Sequence, residues 1–316
     1  MPHIRVISPG FLTTVQDLGR FGYAHLGISA AGAADAVSFR LGNLLVGNLE
    51  NTPSLEMSLV GAEVEFEEAS IVALAGAGMQ PIIDGQAVPM WETIMISPGQ
   101  VLKCGAAVAG VRSYLCIRGG IHVPPVLGSA ATHLATGLGG FSGRALRRGD
   151  IVTVQSLPVS DSFDPLRLNQ NATDRLLARD LLRVTAGPQE NLFTDIALEQ
   201  FYTSSYLVTK DSDRMGLRLE GPAVARKDSS FETLTEGVSL GAVQITHSGH
   251  PIILFVDHQT TGGYPKIANV IAADMHRVGQ LRSGDRVTFR RATLEEARAL
   301  LVEQESFIYQ HSFAQA

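Results

Sequence analysis

The sequence predicts a mainly β protein that is built from two lobes and carries a few helices. Its 316 residues include 32 glycines, and many short apolar runs end at glycine or proline, which is typical of strands joined by turns. Residues 62–67 alternate apolar and acidic side chains, so they form a strand with one solvent-facing side. The Asp84-Gly85 dipeptide predicts a tight hairpin. Three apolar runs predict buried strands: residues 71–75, 114–117 and 252–256.

Three segments predict helices, because their apolar residues recur at helical spacing. The first two are residues 35–47 and 191–201. The third begins after Thr293, which is a good N-cap and is followed three residues later by Glu296, so the two form a capping box. This last helix is expected to pack on the second lobe.

An internal echo favours two related lobes. Residues 146–153 and 281–288 are identical at six of eight positions, and each copy closes a glycine-rich β region. A duplicated β unit explains the echo, although a common turn-to-strand phrase also recurs for physical reasons alone. We therefore predict an N-terminal β lobe over residues 1–156, a connection over 157–183, and a C-terminal β lobe with the terminal helix over 184–316.

Composition argues against several classes of protein. The formal net charge of −6 disfavours a nucleic-acid partner, which usually meets a basic face. No run of 18 apolar residues predicts a membrane-spanning helix, so we expect no membrane association. The start has no signal-peptide pattern, and Cys104 and Cys116 are too few and too far apart to indicate an oxidising compartment. Together these features predict a cytoplasmic protein.

Several familiar catalytic motifs are missing from the sequence. It has no G-x-x-x-x-G-K-[ST] loop for nucleotide phosphates and no G-x-S-x-G nucleophile elbow. No His/Cys cluster has metal-ligand spacing, so no metal site is expected. No lysine is flanked by methionines as in a biotin-attachment site. We therefore expect the chain alone to bind no cofactor, so that another chain must supply any ATP or biotin.

Four stretches that combine polar residues with glycine carry the candidate site. Glycine allows close backbone approach, and polar groups at strand ends are a common way to place a site on a rigid scaffold. One stretch, residues 29–35, leads into a helix whose N-terminal N–H groups favour an anion. Together with Arg118, the other three supply the candidate residues: Gln16, Asp17 and Arg20; Asp213 and Arg214; and Gln244, Asp257, Gln259, Thr260 and Lys266.

Each candidate residue also has a purely structural interpretation. Asp17 with Arg20, and Asp213 with Arg214, can be ordinary ion pairs or turn residues. Lys266 can be an exposed lysine, and Asp257 can cap a turn after its strand. The glutamines can be internal hydrogen-bonding groups that never meet a substrate.

The same stretches resemble the allophanate hydrolase subunit 2 family, which also holds the C subunit of 5-oxoprolinase and biotin-dependent carboxyltransferase-like proteins. The resemblance runs from near Ile4 to about Arg290 and rests on three phrases: T-T-V-Q-D-L-G-R, S-D-R-M-G and Q-T-T-G-G-Y-P-K. One departure is Ala34, where the family usually has methionine in G-A-M-D. That change removes packing volume and no polar group.

The resemblance implies cyclophilin-like β-barrel lobes and a sister subunit of related fold. In one branch the proteins form part of a bacterial ATP-dependent 5-oxoprolinase, which opens the lactam of 5-oxoproline to glutamate. We take this branch as the leading hypothesis. Its partners would be a sister subunit resembling allophanate hydrolase subunit 1 and a lactam-utilisation subunit, with ATP bound by a partner.

Residue types assign roles under this hypothesis. A cation, namely Arg20, Arg118, Arg214 or Lys266, would hold the substrate carboxylate or a developing acyl phosphate. Asp213 or Asp257 would orient water or move a proton. We therefore place Asp213, Arg214, Asp257 and Lys266 in the catalytic group, and the remaining candidates in the substrate-binding group: Gln16, Asp17, Arg20, Arg118, Gln244, Gln259 and Thr260.

Two alternatives remain open on the sequence. In the urea carboxylase branch, carboxybiotin supplied by another chain would donate its carboxyl group to urea, and Gln244 and Thr260 would hold the ureido oxygen. In the other alternative, the chain is a regulatory binding module that acts on a histidine kinase through its sister subunit.

Overall fold

The computed structural model describes residues 1–155, 164–169, 173, 176, 178–228, 234–310 and 313–315. Its secondary structure is mostly strand, as predicted. The chain forms two compact units. The first comprises Met1–Arg20, Ala31–Leu177 and Phe307–Ala316, and the second comprises Phe21–Ala30 and Ala178–Ser306.

Two β-sheets face each other in the first unit. One has six strands in the order β11-β1-β4-β9-β6-β7, and the other has five in the order β2-β3-β10-β5-β8. Buried apolar residues from both sheets form one cluster, including Val6 and Phe66 from the first and Leu55 and Leu74 from the second. The strands of this unit are β1 (His3–Ser8), β2 (Leu12–Gln16), β3 (Ser54–Ser58), β4 (Glu63–Phe66), β5 (Ser70–Gly76), β6 (Ile82–Ile83), β7 (Gln86–Ala87), β8 (Thr93–Ile96), β9 (Val101–Lys103), β10 (Arg112–Ile117), β11 (Ile151–Thr153), β12 (Leu166–Leu168) and β22 (Phe313–Gln315).

Helix α1 (Ala36–Leu45) covers the outer face of the five-stranded sheet. Phe39 of this helix meets Tyr114 of β10 edge to face, with ring centroids 5.6 Å apart. Gly42 permits this packing, because a Cβ there would lie only 2.8 Å from the Cys116 Sγ atom. Strands β5 and β10 are therefore buried on both faces, which explains why their sequences are continuous apolar runs.

Local sequence signals account for most turns and helix ends. The predicted hairpin joins β6 to β7, and its central residues, Asp84 and Gly85, both have positive φ. Helix α2 (Asp195–Thr203) begins later than predicted because Thr194 is its N-cap and accepts a hydrogen bond from the Ala197 backbone N–H. Other helices in the described part of the chain are α3 (Met275–Gln280) and α4 (Leu294–Gln310), and short 3₁₀ turns occupy Ala24–Leu26, Glu190–Leu192 and Ala272–Asp274.

The second unit is built around a closed seven-stranded barrel with the order β13-β20-β17-β18-β15-β14-β21. In this barrel β13 and β21 pair in parallel, and the other neighbours are antiparallel. A two-stranded ribbon, β16 with β19, accompanies the barrel. The strands are β13 (Leu181–Ala186), β14 (Ser205–Val208), β15 (Gly216–Glu220), β16 (Glu236–Gly237), β17 (Ala242–Ile245), β18 (Pro251–Leu254), β19 (Thr261–Gly262), β20 (Lys266–Val270) and β21 (Arg286–Arg291).

Register fixes which side chains face the barrel interior. Leu217, Ile253 and Val243 are directly opposite one another on β15, β18 and β17, and all three are buried. Successive residues of a strand point to opposite faces. The neighbouring row, Arg218–Ile252–Gln244, therefore lies on the outer face of the barrel wall.

The two copies of the sequence echo form the same turn. In the first copy, the Gly149 N–H donates to Val6 O at 2.8 Å, and the Val6 N–H donates to Asp150 O at 2.9 Å. In the second, Gly284 and Asp285 make the same two bonds with Val208, both at 2.9 Å. Both glycines have positive φ. The echo segments therefore occupy equivalent local positions at the start of β11 and β21.

An arginine outside each turn anchors its aspartate. Arg144 binds both carboxylate oxygens of Asp150 at 2.7 and 2.8 Å. Arg179 donates from Nε to Asp285 Oδ2 at 2.8 Å. In each copy the aspartate also accepts a backbone N–H from the arginine three residues before it. The same carboxylate therefore closes the turn and ties it to a second segment.

The structure adds detail to the predicted organisation. A closed barrel forms in the second unit, and the described strands of the first unit form the two packed sheets and the separate β12–β22 pair. The predicted connection, residues 157–183, lies partly outside the described residues. Its described part already includes β12, which pairs with β22, and the first residues of barrel strand β13.

The terminal helix α4 is divided between the two units. Its capping box is confirmed, since the Thr293 N–H donates to Glu296 Oε2 at 2.8 Å and the Glu296 N–H donates to Thr293 Oγ1 at 3.1 Å. Gln304 donates to the Ala273 carbonyl of the second unit at 2.9 Å. Ile308, in contrast, packs in an apolar cluster of the first unit. The capping motif thus predicted where the helix starts, but not where its last turns pack.

The two cysteines, Cys104 and Cys116, are buried. Burial raises the pKa of both thiols to about 12, so both behave as small apolar core residues. Among the residues that the structure describes, no helix has the length and apolar content needed to cross a bilayer.

Substitution of Asp150 tests the turn of the first copy. Hydrogen bonds from Arg144 hold the pKa of Asp150 below its ordinary value. The resulting stabilisation is present above the unfolded-state pKa and is lost as pH falls through the folded-state pKa. Asp150→Asn should lower the free energy of unfolding by about 1–2 kcal/mol at pH 7, and the difference from wild type should shrink in acid.

Urea denaturation at several pH values measures this difference. Glu68→Gln removes the same charge from an exposed residue of the first unit and should change stability little. Equal urea midpoints for wild type and Asp150→Asn at pH 7 would contradict the assigned role.

Candidate functional site

A pocket of about 290 Å³ lies on the outer wall of the barrel, entirely within the second unit. Its floor is apolar, because Ile252 and Leu254 of β18 and Met215 line it. Polar side chains surround that floor, as is usual for small-molecule sites. The lining residues are Asp211, Asp213, Met215, Gly216, Arg218, Gln244, Thr246, Ile252, Leu254, Gln259 and Tyr264.

Three predicted site residues line this pocket together: Asp213, Gln244 and Gln259. Asp213 is exposed and holds the turn that starts β15. Its Oδ1 atom accepts the backbone N–H groups of Met215 at 2.8 Å and Gly216 at 3.2 Å. Its Oδ2 atom accepts no hydrogen bond from the described residues. One carboxylate oxygen is thus fixed by the backbone, and the other remains free for a ligand.

Gln244 is buried although it lies on the outer face of the barrel. The loop after β19 covers it: its Nε2 atom donates to Tyr264 O at 3.3 Å. A Cβ on Gly262 would come within 2.7 Å of the same nitrogen, so a larger residue there would displace the Gln244 amide. The Oε1 atom of Gln244 accepts no hydrogen bond within the described part of the chain. The side chain therefore offers an oriented amide oxygen beside the pocket.

Arg214 and Asp257 form a buried bidentate ion pair that borders the pocket. Arg214 Nε donates to Asp257 Oδ2 at 2.8 Å, and its Nη2 donates to Oδ1 at 3.1 Å. The backbones of the two residues also bond, from Asp257 N–H to Arg214 O at 2.8 Å. The pair therefore fastens the segment that carries Asp213 to the segment that carries Gln259. Its geometry fits a positioning role.

Lys266 lies opposite Gln244 on β20 and is buried. Its Nζ atom donates to Glu236 Oε1 at 2.5 Å, and Gln189 donates to the same oxygen. The hydrogen bond from Lys266 lowers the pKa of Glu236, whose side chain is about half exposed. The lysine is thus not the exposed residue of the structural alternative. It ties strand β20 to the β16–β19 ribbon.

The remaining candidates of this unit have minor contacts. The Thr260 carbonyl accepts the Val238 N–H at 3.1 Å, which closes the ribbon. Gln259 is exposed, and its carbonyl lies 2.6 Å from the Nδ1 atom of His258. Burial lowers the pKa of His258, which favours the neutral imidazole.

In the first unit, Asp17 organises the segment that starts at Ser129. Its Oδ1 atom accepts the Gly19 N–H at 2.8 Å and the Ser129 hydroxyl at 2.7 Å. Its Oδ2 atom accepts the Ala130 N–H at 2.7 Å. Arg20, which is almost fully buried, donates to the neighbouring Ala131 carbonyl. Asp17 and Arg20 therefore hold the same segment of the first unit.

Gln16 and Arg118 also contact backbone in this unit. Gln16 Nε2 donates to Thr14 Oγ1 at 2.9 Å and to Thr132 O at 3.1 Å. Its Oε1 atom is buried and has no partner among the described residues. Arg118 donates from Nη1 to the Val46 carbonyl at 3.0 Å. The expectation that this cluster converges with the second-unit residues in one cleft stays a prediction.

The helix-initiating stretch at 29–35 has a structural explanation. Asp35 is the N-cap of α1, and its carboxylate accepts the Ser38 N–H at 2.9 Å and the Ser38 hydroxyl at 2.6 Å. The N-terminal donors of this helix are thus partly satisfied by the chain itself.

Sequence reasoning missed Arg218, whose guanidinium is exposed at the pocket. A signal was available, because the run Leu217-Arg218-Leu219-Glu220 alternates as a half-buried strand does. Strand pairing, which the sequence did not reveal, was needed to place Arg218 in the same row as Gln244. Within the described ranges, no group of three or more His, Cys, Asp or Glu side chains is arranged to hold a metal ion.

A mainly β chain with this barrel and these motifs can now be placed in a family. The chain belongs to the carboxyltransferase domain family, subdomains A and B, whose model matches residues 26–291. The resemblance to the group that holds the 5-oxoprolinase C subunits is confirmed.

Individual relatives agree with this placement. The chain is 39% identical to the 5-oxoprolinase C subunit of Escherichia coli, over 97% of both chains. It is 35% identical to the 5-oxoprolinase C subunit of Haemophilus influenzae, over 94% of both chains. Among solved structures, the K. lactis urea amidolyase matches with a TM-score of 0.90 and 33% identity. That match covers 97% of this chain and 20% of the amidolyase chain.

Substitution of Arg214 tests whether this residue positions the pocket or acts as an exposed catalytic group. Both members of the Arg214–Asp257 pair are buried. Arg214→Met should lower the free energy of unfolding by about 3–5 kcal/mol, because it leaves the Asp257 carboxylate buried without a partner. Arg214→Met combined with Asp257→Leu should recover part of the loss. The measurement is urea denaturation at pH 7.

A wild-type urea midpoint for Arg214→Met would contradict this role. Arg290→Met is the matched control, since Arg290 is an exposed arginine on another strand of the same barrel.

Proposed function

We propose that this chain is the C subunit of an ATP-dependent 5-oxoprolinase complex, which opens 5-oxoproline to glutamate. The observation that carries the proposal is the 39% identity to the E. coli subunit over 97% of both chains. Such coverage means that the whole chain, and not one shared module, is similar to a stand-alone subunit of that enzyme.

The chemistry explains why partners would be required. Opening a lactam adds water across an unreactive amide bond, so coupling to ATP supplies the driving force. The sequence has no recognisable nucleotide-phosphate loop. ATP would therefore bind to a partner, either the sister subunit resembling allophanate hydrolase subunit 1 or the lactam-utilisation subunit. The pocket on the barrel wall would hold the lactam.

Asp213 is the residue we assign to proton movement at this pocket. Asp257 uses both carboxylate oxygens to bind Arg214, whereas Asp213 keeps Oδ2 free of hydrogen bonds from the described residues. A positioned carboxylate can accept a proton from attacking water or from the lactam nitrogen. Arg214 and Lys266 would then position the pocket walls and not touch the substrate.

Reconstitution tests the proposed activity. The full complex, assembled from this chain and both partner subunits, should convert 5-oxoproline to glutamate with ATP consumption. The purified single chain should show no turnover. Glutamate formation and phosphate release are the measurements, and each two-component mixture serves as a control. ATP-coupled ring opening by the single chain would contradict its dependence on partners.

A second candidate function is biotin-dependent carboxyl transfer. The TM-score of 0.90 to a urea amidolyase favours it, although this chain spans only 20% of that protein. Under this alternative, Gln244 and Thr260 would hold the ureido oxygen of carboxybiotin. Carboxylation of urea by the chain with its sister subunit and a carboxybiotin donor, without 5-oxoproline turnover by the full complex, would favour this candidate over the first.

Substitution of Asp213 tests the proton-transfer assignment. Asn keeps an oxygen at Oδ1, so Asp213→Asn retains the acceptor for the Met215 and Gly216 N–H groups. We expect the melting temperature to stay close to wild type and kcat of the assembled complex to fall by about 10²-fold or more. Asp211→Asn, at an exposed carboxylate of the same pocket, is the comparison variant. An unchanged kcat for Asp213→Asn would show that Asp213 does not transfer the proton.

A further inference from the structure

We propose that Arg218 is the residue that recognises the substrate carboxylate, and that Gln244 accepts a hydrogen bond from the lactam N–H beside it. The ring would lie on Ile252, between them. This inference rests on the proposed function, because it names how the same pocket selects a lactam that carries a carboxylate.

The first support is the state of the guanidinium. Arg218 donates its backbone N–H to Ser212 Oγ at 3.0 Å, but its side chain makes no hydrogen bond or ion pair within the described part of the chain. The side chain is exposed and lines the pocket. An arginine fork of this kind matches a carboxylate with two parallel hydrogen bonds.

The second support is register. Gln244 is opposite Ile252, and Ile252 is opposite Arg218, so the three side chains form one row across β17, β18 and β15. Neighbouring strands are about 4.8 Å apart, so the outer members of the row are separated by roughly 10 Å at the backbone. A small ring seated over the central residue can reach a polar group on either side.

The third support is complementarity. In 5-oxoproline the carbon that bears the carboxylate is bonded to the lactam nitrogen, so an acceptor and a cation are needed close together. The Oε1 atom of Gln244 accepts no hydrogen bond from the described residues, and Nε2 is held by Tyr264 O, which fixes the amide orientation. The apolar floor of Ile252 and Leu254 suits the methylene groups of the ring.

The charges around the pocket also restrict where an anion can bind. Asp211 and Asp213 both line the pocket, and they disfavour an anion except at the guanidinium. Neither carboxylate is within ion-pair distance of Arg218 among the described contacts. Two cations on neighbouring segments already have protein partners, since Arg214 binds Asp257 and Lys266 binds Glu236. Arg218 is therefore the cation that a ligand carboxylate meets.

Steady-state kinetics of the assembled complex test the assignment. Arg218→Met keeps most of the apolar stem and removes the charge. We expect it to raise KM for 5-oxoproline by about 10- to 100-fold, because charge-assisted hydrogen bonds are lost, with a much smaller change in kcat. Arg218→Lys should restore part of the affinity. Arg290→Met, the exposed arginine elsewhere on the barrel, should leave both constants unchanged.

A substrate analogue separates carboxylate recognition from general damage. 2-Pyrrolidinone is the same lactam without the carboxylate, so its binding should be equal in wild type and Arg218→Met. Ligand-observed NMR with the full-length chain measures binding of both compounds directly. A KM for 5-oxoproline in Arg218→Met within twofold of wild type would overturn the inference.

The two proposals fail in different ways. A wild-type complex with no ATP-dependent ring opening would refute the proposed function, and the binding measurement would then decide the inference alone. In that case, binding of 5-oxoproline to the wild-type chain that is lost in Arg218→Met supports the inference. Absence of binding to the wild-type chain, or equal binding to both, overturns it.

Discussion

Pairing register in a closed barrel is the constraint on which the candidate site depends. Once Leu217, Ile253 and Val243 are directed inward, the adjacent row of β15, β18 and β17 must face outward. A shift of one residue on β18 would bury Ile252 and expose Ile253, and it would remove the floor of the pocket. The hydrophobic interior of the barrel therefore determines which side chains can meet a ligand on its outer wall.

Ionic groups next to the pocket act mainly through the backbone that they hold in place. A buried charge is costly unless it is paired, so the Arg214–Asp257 pair holds its two segments together. Lys266 and Glu236 fasten the ribbon that covers Gln244 in the same way. Charged groups that have protein partners therefore set the geometry of the pocket, whereas exposed charged groups remain available for chemistry.

Local signals in the sequence predicted local structure well. The capping box at Thr293, the hairpin at Asp84 and the alternating strand after Ala62 all depend on contacts within a few residues, and all are confirmed. Long-range pairing could not be predicted in this way. Arg218 was therefore overlooked, and the ion pair between Arg214 and Asp257 was not foreseen. The family resemblance, and not the eight-residue echo, led us to expect barrel lobes, because the echo reports only a turn and the start of one strand in each unit.

The repeated turn shows which of its positions are free to change. The two copies differ at two positions, where Arg148 stands for Ser283 and Ile151 stands for Arg286, and all four side chains are exposed. The shared residues each serve a physical purpose, since they supply an apolar anchor, a positive-φ glycine, a carboxylate that closes the loop and a buried valine. A phrase of the form L-R-x-G-D-x-V-T is thus sufficient to specify a tight turn followed by a strand, and it should mark such turns in chains that share no ancestry with this one.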